Sequence, residues 1–150
     1  MRYVLWIAVT FLALIIQGSL SLFDITPNLT AVLAFYAGIK KGEVKGMLAG
    51  SLIGLLEDNL AGPFLGPNLL SKGLVGYLAS FMCSRFFVWT PLLGMISITV
   101  LTMVDGLVVF LCKSAFDRTP VSFGAAAFII VVQALLNAAF GVFLKPRSES

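Results

Sequence analysis

Four charged residues stand inside or beside long apolar segments of this chain: Glu57, Asp58, Lys72 and Asp105. A charge in the apolar interior of a membrane costs about 2.5 to 3.5 kcal/mol, so such residues usually contact a partner or water. Pairing of Lys72 with Asp105 or Asp58 would satisfy the charges and join helices. Alternatively, the Lys72 side chain reaches the aqueous interface. A third alternative is a polar cluster that binds a ligand or partner, formed by Asp58, Asn68, Lys72 and Asp105.

These residue types do not predict an enzyme. Ser71 precedes Lys72, but neighbouring side chains on a helix point about 100° apart, so the two do not form a catalytic dyad. The sequence has no His, the most common general base, and its two cysteines lack the spacing of metal ligands. We therefore expect no catalytic residue, cofactor site or metal site. Gln133 and Asn137, four residues apart, are expected to form hydrogen bonds between helices.

The composition is typical of a membrane protein. Mean hydropathy is +1.03 and 11% of the residues are charged, against about 25% in water-soluble domains. Several apolar segments approach the roughly 20 residues that a transmembrane helix needs. The net charge of +3 comes mostly from segment ends and forms no basic patch, so a nucleic-acid partner is not expected. We predict an all-α polytopic membrane protein that contacts membrane lipid.

The apolar segments predict a single membrane domain over residues 1–150, with six transmembrane helices in one compact bundle. The spans are expected at about 3–22, 28–39, 44–57, 68–87, 92–112 and 121–144. The second span is short, so it either crosses the membrane fully or is re-entrant. Residues 59–68, with two Pro and two Gly, are expected to form an outer loop or a shallow re-entrant turn.

The third span carries three glycines at intervals of four residues, Gly46, Gly50 and Gly54, and Asp58 continues the same helix face. Small residues at this spacing let another helix approach closely, which is a main packing device inside membranes. The stripe therefore predicts a helix-packing face. It packs either against a helix of the same chain or against a second copy or partner, so homo-oligomerisation is an open alternative.

The distribution of Lys and Arg predicts the orientation, because cytoplasmic loops of membrane proteins are enriched in these residues. With six spans and both termini in the cytoplasm, most basic residues lie inside: Arg2, Lys40, Lys41, Lys45, Arg85, Lys145 and Arg147. Only Lys113 and Arg118 lie outside, and Lys72 lies near the outer boundary. This orientation brings the four charged residues named first into the outer half of the membrane.

The chain resembles the MreD family of bacterial rod shape-determining proteins. The resemblance covers nearly the whole chain and is most specific over residues 26–80. Its motifs are "TPNL" at 26–29, "GMLAGSLIGLLED" at 46–58, "GPFLGPNLL" at 62–70 and "GLVGYLAS" at 73–80. Asp58 is similar to the acidic residue that follows the glycine stripe in that family. The loop signature of the family is matched by Gly62, Gly66 and Asn68, whereas Glu57 and Lys72 depart from its usual apolar residues.

The resemblance implies a non-enzymatic component of the cell-elongation complex in the bacterial inner membrane. Such proteins act with MreC, the direct partner that this resemblance implies, and with MreB, RodA and a class B penicillin-binding protein in peptidoglycan synthesis. The family fold is also similar to the substrate-binding subunit of energy-coupling-factor transporters. The alternative function is therefore a membrane subunit that binds a vitamin-like small molecule in an outer cavity. The polar contacts with that small molecule would come from Asn68, Lys72, Tyr77 and Asp105.

Overall fold

A computed structural model describes residues 2–19, 25–61, 65–85, 89–116 and 122–145. These residues form six α-helices with short connections, which confirms the predicted all-α fold. The predicted residues Gly62, Arg118 and Arg147, and the parts of the predicted spans at 20–22, 86–87 and 121, lie outside this description. The helices are α1 (Arg2–Ser19), α2 (Leu29–Lys41), α3 (Glu43–Ala61), α4 (Pro67–Arg85), α5 (Pro91–Phe116) and α6 (Phe123–Gly141).

Three helices extend beyond their predicted carboxyl-terminal ends, and α2 does so by two residues, to Lys41. Helix α3 continues to Ala61 instead of ending at 57, so the first part of the predicted 59–68 turn is helical. Asn59 adapts to the helix by donating a side-chain hydrogen bond to the Leu55 carbonyl, at 2.8 Å. Helix α5 continues to Phe116 instead of ending at 112. Pro67 opens α4, where its missing N–H and fixed φ suit the first helical position.

The helices run alternately up and down, and α2 lies in the middle of the bundle. Helices α2 and α3 are joined by Gly42 alone, whose φ of +87° is accessible to glycine at little cost. At this end of the bundle, the Trp6 and Tyr36 rings stack at 5.8 Å and Trp89 donates a 3.1 Å hydrogen bond to the Leu144 carbonyl. We call this the Gly42 end, and the opposite end, where α4 begins, the Lys72 end.

The glycine stripe packs helix α3 against α4 of the same chain. A Cβ atom on Gly50 would meet the Lys72 carbonyl oxygen, and one on Gly54 would meet the Asn68 carbonyl oxygen. A Cβ on Gly46 would lie 2.8 Å from the Gly76 carbonyl oxygen. The two backbones are therefore in contact along the stripe. This is the intramolecular alternative of the sequence analysis, and it leaves the stripe covered and inaccessible to a second copy.

The bundle carries polar groups inside and large apolar side chains outside. Lys72 and Asp105 are 1% and 0% exposed, whereas Leu52, Leu107 and Phe128 are 63%, 51% and 64% exposed. By length and composition, two of the described helices, α5 and α6, could each cross a membrane. Glycine, serine and charged residues lower the hydropathy of α3 and α4. This criterion therefore supports two spans, whereas the sequence predicted six.

Candidate functional site

The Lys72 ammonium group is the centre of a buried ionic cluster at the Lys72 end. It contacts Glu57 Oε2 at 3.0 Å and Asp105 Oδ2 at 3.2 Å, and donates a 2.8 Å hydrogen bond to Asn68 Oδ1. Because an ammonium group has three N–H donors, these three acceptors use its full capacity. The predicted pairing with Asp105 is present. The second carboxylate is Glu57, so the suggested pairing with Asp58 is wrong.

Helix packing explains why these groups meet. Asn68 and Lys72 are four residues apart on α4 and therefore share one face of the helix. The glycine contacts bring the carboxyl-terminal part of α3, with Glu57, against that part of α4. Asp105 is contributed by α5, which also packs against α4. The partners of Lys72 therefore come from α3, α4 and α5. The sequence did not predict how these three helices are arranged in space.

Asp58 acts as a cap for the beginning of helix α4. Its carboxylate accepts hydrogen bonds from the backbone N–H groups of Gly66, Asn68 and Leu69, at 2.9, 3.1 and 3.0 Å. The first N–H groups of a helix lack partners within the helix, and a negative charge is favourable there. Asp58 also accepts from the Asn68 side-chain amide at 2.9 Å. Because Asn68 Oδ1 accepts from Lys72, Asn68 connects this cap to the ionic cluster.

The polar groups that open α2 extend the cluster, and the sequence analysis missed them. Asn28 Nδ2 donates a 2.6 Å hydrogen bond to Asp105 Oδ2, and the Thr30 hydroxyl lies 2.7 Å from Glu57 Oε2. Gln17 of α1 donates to Glu57 at 3.4 Å. Asn28 also caps α2, and an Asn directly before an apolar helix is a recognisable capping signal. Nothing in the sequence indicates that Asn28 contacts Asp105 of α5.

Gln133 and Asn137 connect α6 to the same region. Asn137 forms the predicted hydrogen bond between helices, to Thr102 of α5, whereas Gln133 bonds to a residue that precedes α2. Gln133 donates to the Thr26 carbonyl at 3.0 Å. Asn137 donates to the Asn28 carbonyl and to the Thr102 hydroxyl, both at 3.1 Å. The two side chains therefore connect α6 to the segment that leads into α2.

The ionic cluster carries one negative charge in excess when its groups are ionised, since Glu57 and Asp105 face a single lysine. Asp105 is completely buried, and its Oδ1 atom has no hydrogen-bond donor among the described residues. Buried carboxylate oxygens are almost always hydrogen-bonded, so an unpaired one is notable. The arrangement therefore favours the approach of a hydrogen-bond donor or a cation over that of an anion.

A cavity of about 320 Å³ lies next to the ionic cluster. Lys72, Glu57 and Asp105 contribute to its polar lining, and Lys113 lies farther along α5 toward the Lys72 end. Its apolar lining includes Ala61, Val109, Phe110, Ala126, Ile129 and Ile130. Tyr77, expected to contribute, is instead exposed and outside this lining. It lies five residues beyond Lys72 on α4 and so points to a different side of that helix.

The described residues contain no group of three His, Cys, Asp or Glu side chains that could hold a metal ion. The Ser71 hydroxyl donates to the Asn68 carbonyl at 3.2 Å, and its bond is thus directed away from Lys72. Comparison of the chain with protein-family models, curated proteins and solved structures found no match.

Proposed function

We propose that this protein is a non-enzymatic component of the bacterial cell-elongation complex, embedded in the inner membrane by six helices. The observation that carries membrane insertion is the placement of apolar side chains outside and charged groups inside. Apolar side chains are also exposed on helices other than α5 and α6, for example Leu5 on α1, Leu52 on α3 and Leu70 on α4. Such a surface is costly in water and suits lipid.

The short second helix is consistent with this proposal. Helix α2 has 13 residues, which span about 20 Å, less than the hydrocarbon thickness of about 30 Å. It is buried along most of its length, so the other helices, and not lipid, surround it. The bundle then has both termini in the cytoplasm, because the Gly42 end carries Lys40, Lys41 and Lys45.

The role in cell elongation is supported by the residues that carry the family resemblance. Gly50, Gly54, Asp58 and Asn68 belong to its motifs and lie where α3 meets α4: Asn68 contacts Gly54 and Asp58, and Gly50 contacts the backbone at Lys72. A structural role for these residues, without catalysis, fits a protein that acts by binding partners. The proposed direct partner is MreC, in a complex with MreB, RodA and a class B penicillin-binding protein.

The experiment that tests this role is affinity purification of the tagged chain from membranes of its own host. We expect MreC to copurify, and cells depleted of the chain to lose their rod shape. Gly50→Leu should abolish shape rescue, because it separates α3 from α4. Gly124→Leu is the matched control, since no atom lies within 4 Å of a Cβ at that position. Depleted cells that keep their rod shape would contradict the proposal.

The cavity favours a second candidate, a membrane subunit that binds a small molecule. Its volume is within the range of about 300 to 1,000 Å³ that is usual for ligand sites, and apolar walls adjoin a few polar groups. The unpaired Oδ1 atom of Asp105 favours a ligand that carries a hydrogen-bond-donating group. Mass spectrometry of purified protein should then detect a ligand that Val109→Trp expels and Leu107→Trp retains, since Leu107 faces outward. Failure to recover any ligand would leave the elongation role as the better proposal.

A further inference from the structure

A second hollow, separate from the ionic cluster, lies between α1 and α3. It has a volume of about 550 Å³ and begins at the Gly42 end. Helix α1 packs mainly on α2, which leaves the space beside α3 open. We call this hollow the α1/α3 groove. It is lined by Trp6, Ile7, Thr10, Lys41, Lys45, Leu48, Ala49, Leu52, Ile53 and Leu56.

The groove has a basic end and an apolar tract. Lys41 and Lys45 lie at the Gly42 end. Leu48, Leu52 and Leu56 follow at intervals of four residues and form a ridge along α3. From Lys45 to Leu56 the helix rises about 16 Å, enough for a substantial part of an acyl chain.

The charges nearby favour an anionic group at the basic end. Lys45 is exposed, and the Lys41 ammonium lies 4.0 Å from the centre of the Trp6 ring. Lys40, at the end of α2, lies 5.9 Å from the centre of the Tyr36 ring. Glu43 is the acidic residue in the first turn of α3, and it does not line the groove.

We propose that the α1/α3 groove binds an anionic phospholipid, with the phosphate at Lys41 and Lys45 and an acyl chain along the leucine ridge. Basic pockets between helices on the cytoplasmic side commonly bind anionic headgroups. The ridge argues against a docked helix, because helices pack closely in membranes on small residues. The small-residue face of α3 is already occupied by α4. The inference requires the membrane location proposed above, but it does not depend on the role in cell elongation.

The test uses quenching of tryptophan fluorescence by brominated lipids. The chain has two Trp residues, and both lie at the Gly42 end: Trp6 lines the groove, and Trp89 contacts Leu144 elsewhere. The full chain carrying Trp89→Phe reports on the groove, and the chain carrying Trp6→Phe is the matched control. Each is reconstituted in two kinds of vesicle that contain phosphatidylglycerol and phosphatidylcholine. In the first kind the phosphatidylglycerol is brominated, and in the second the phosphatidylcholine is brominated. Quenching is compared with that in unbrominated lipid to give the relative affinity for the two headgroups.

We expect Trp6 to select phosphatidylglycerol over phosphatidylcholine, and Trp89 to show no selection. Each lysine is expected to contribute about fivefold, so Lys45→Gln should lower the selectivity by about that factor. Leu52→Trp would add a second fluorophore to the Trp89→Phe chain, so Leu52→Asn serves to interrupt the apolar tract without adding a charge, and it should lower quenching of Trp6. Equal quenching by both lipids, or unchanged selectivity in Lys45→Gln, would overturn the proposal. Circular dichroism in the same vesicles establishes that each variant is inserted and helical, which separates loss of the lipid site from failure of membrane insertion.

Discussion

Replacement of Lys72 by Met removes the one positive charge of the ionic cluster while keeping most of the apolar stem. Glu57 and Asp105 are then left as neighbouring carboxylates without a counter-charge. Breaking a buried ion pair by removing one partner typically costs about 3 to 5 kcal/mol. Asp105 is fully buried, whereas Glu57 is 14% exposed and can be partly hydrated. We therefore expect Lys72→Met to lower the free energy of unfolding by about 4 kcal/mol, mostly through Asp105.

The structure also indicates which additional substitutions should compensate for the loss of Lys72. Changing Asp105 together with Lys72 still leaves Glu57 unpaired, so this double variant should recover only part of the loss. Neutralising both acids in Lys72→Met/Glu57→Gln/Asp105→Asn removes every unpaired charge, and we expect the triple variant to lose less than about 3 kcal/mol. With each acid variant alone costing at least about 1 kcal/mol, simple addition would give about 6 kcal/mol or more.

The measurement is reversible unfolding of the purified protein in mixed micelles, followed by far-ultraviolet circular dichroism. Lys113→Met is the matched control, because this exposed lysine leaves no buried acid behind, and it should change the free energy of unfolding by less than about 0.5 kcal/mol. If the triple variant loses the sum of the single losses, the three side chains are not coupled and the ionic cluster does not exist as described.

Three further predictions follow from helix packing, capping and orientation. Gly50→Ala should destabilise the protein by about 1 to 3 kcal/mol because it overlaps α4, whereas Gly124→Ala should be neutral or stabilising; equal unfolding midpoints would contradict the packing. Asp58→Ala should lower the free energy of unfolding by about 2 to 4 kcal/mol, because it leaves four donors without an acceptor. The control Asn59→Ala, at the exposed neighbouring residue, should lower it by less than about 0.5 kcal/mol in the same assay. A protease site inserted at Gly42 should be cleaved only from the cytoplasmic side, and cleavage from outside would reverse the predicted orientation.

Sequence patterns were sufficient for those features that depend on neighbours along the chain. The interval of four residues in the glycine stripe predicted a close helix contact, and Gly50 and Gly54 do contact a neighbouring backbone. The cost of isolated charges in an apolar segment predicted that Lys72 pairs with Asp105 or Asp58, and the first of these two alternatives is present. Helix ends were less accurate, because the preference of Asn59 for turns is outweighed by its hydrogen bond within α3.

The choice of partners was decided by the tertiary structure. Glu57 and Asp58 are adjacent and chemically similar, yet Glu57 pairs with Lys72 while Asp58 caps α4. Successive residues on a helix point about 100° apart, so the rotation of α3 against α4 determines which acid reaches which group. Asn28 meets Asp105 only because α2 lies at the centre of the bundle. By itself the sequence determined the helical, apolar character of the chain and the need of its charges for partners. Which partners they have depends on helix rotation and depth, which are set by contacts between residues distant in the chain.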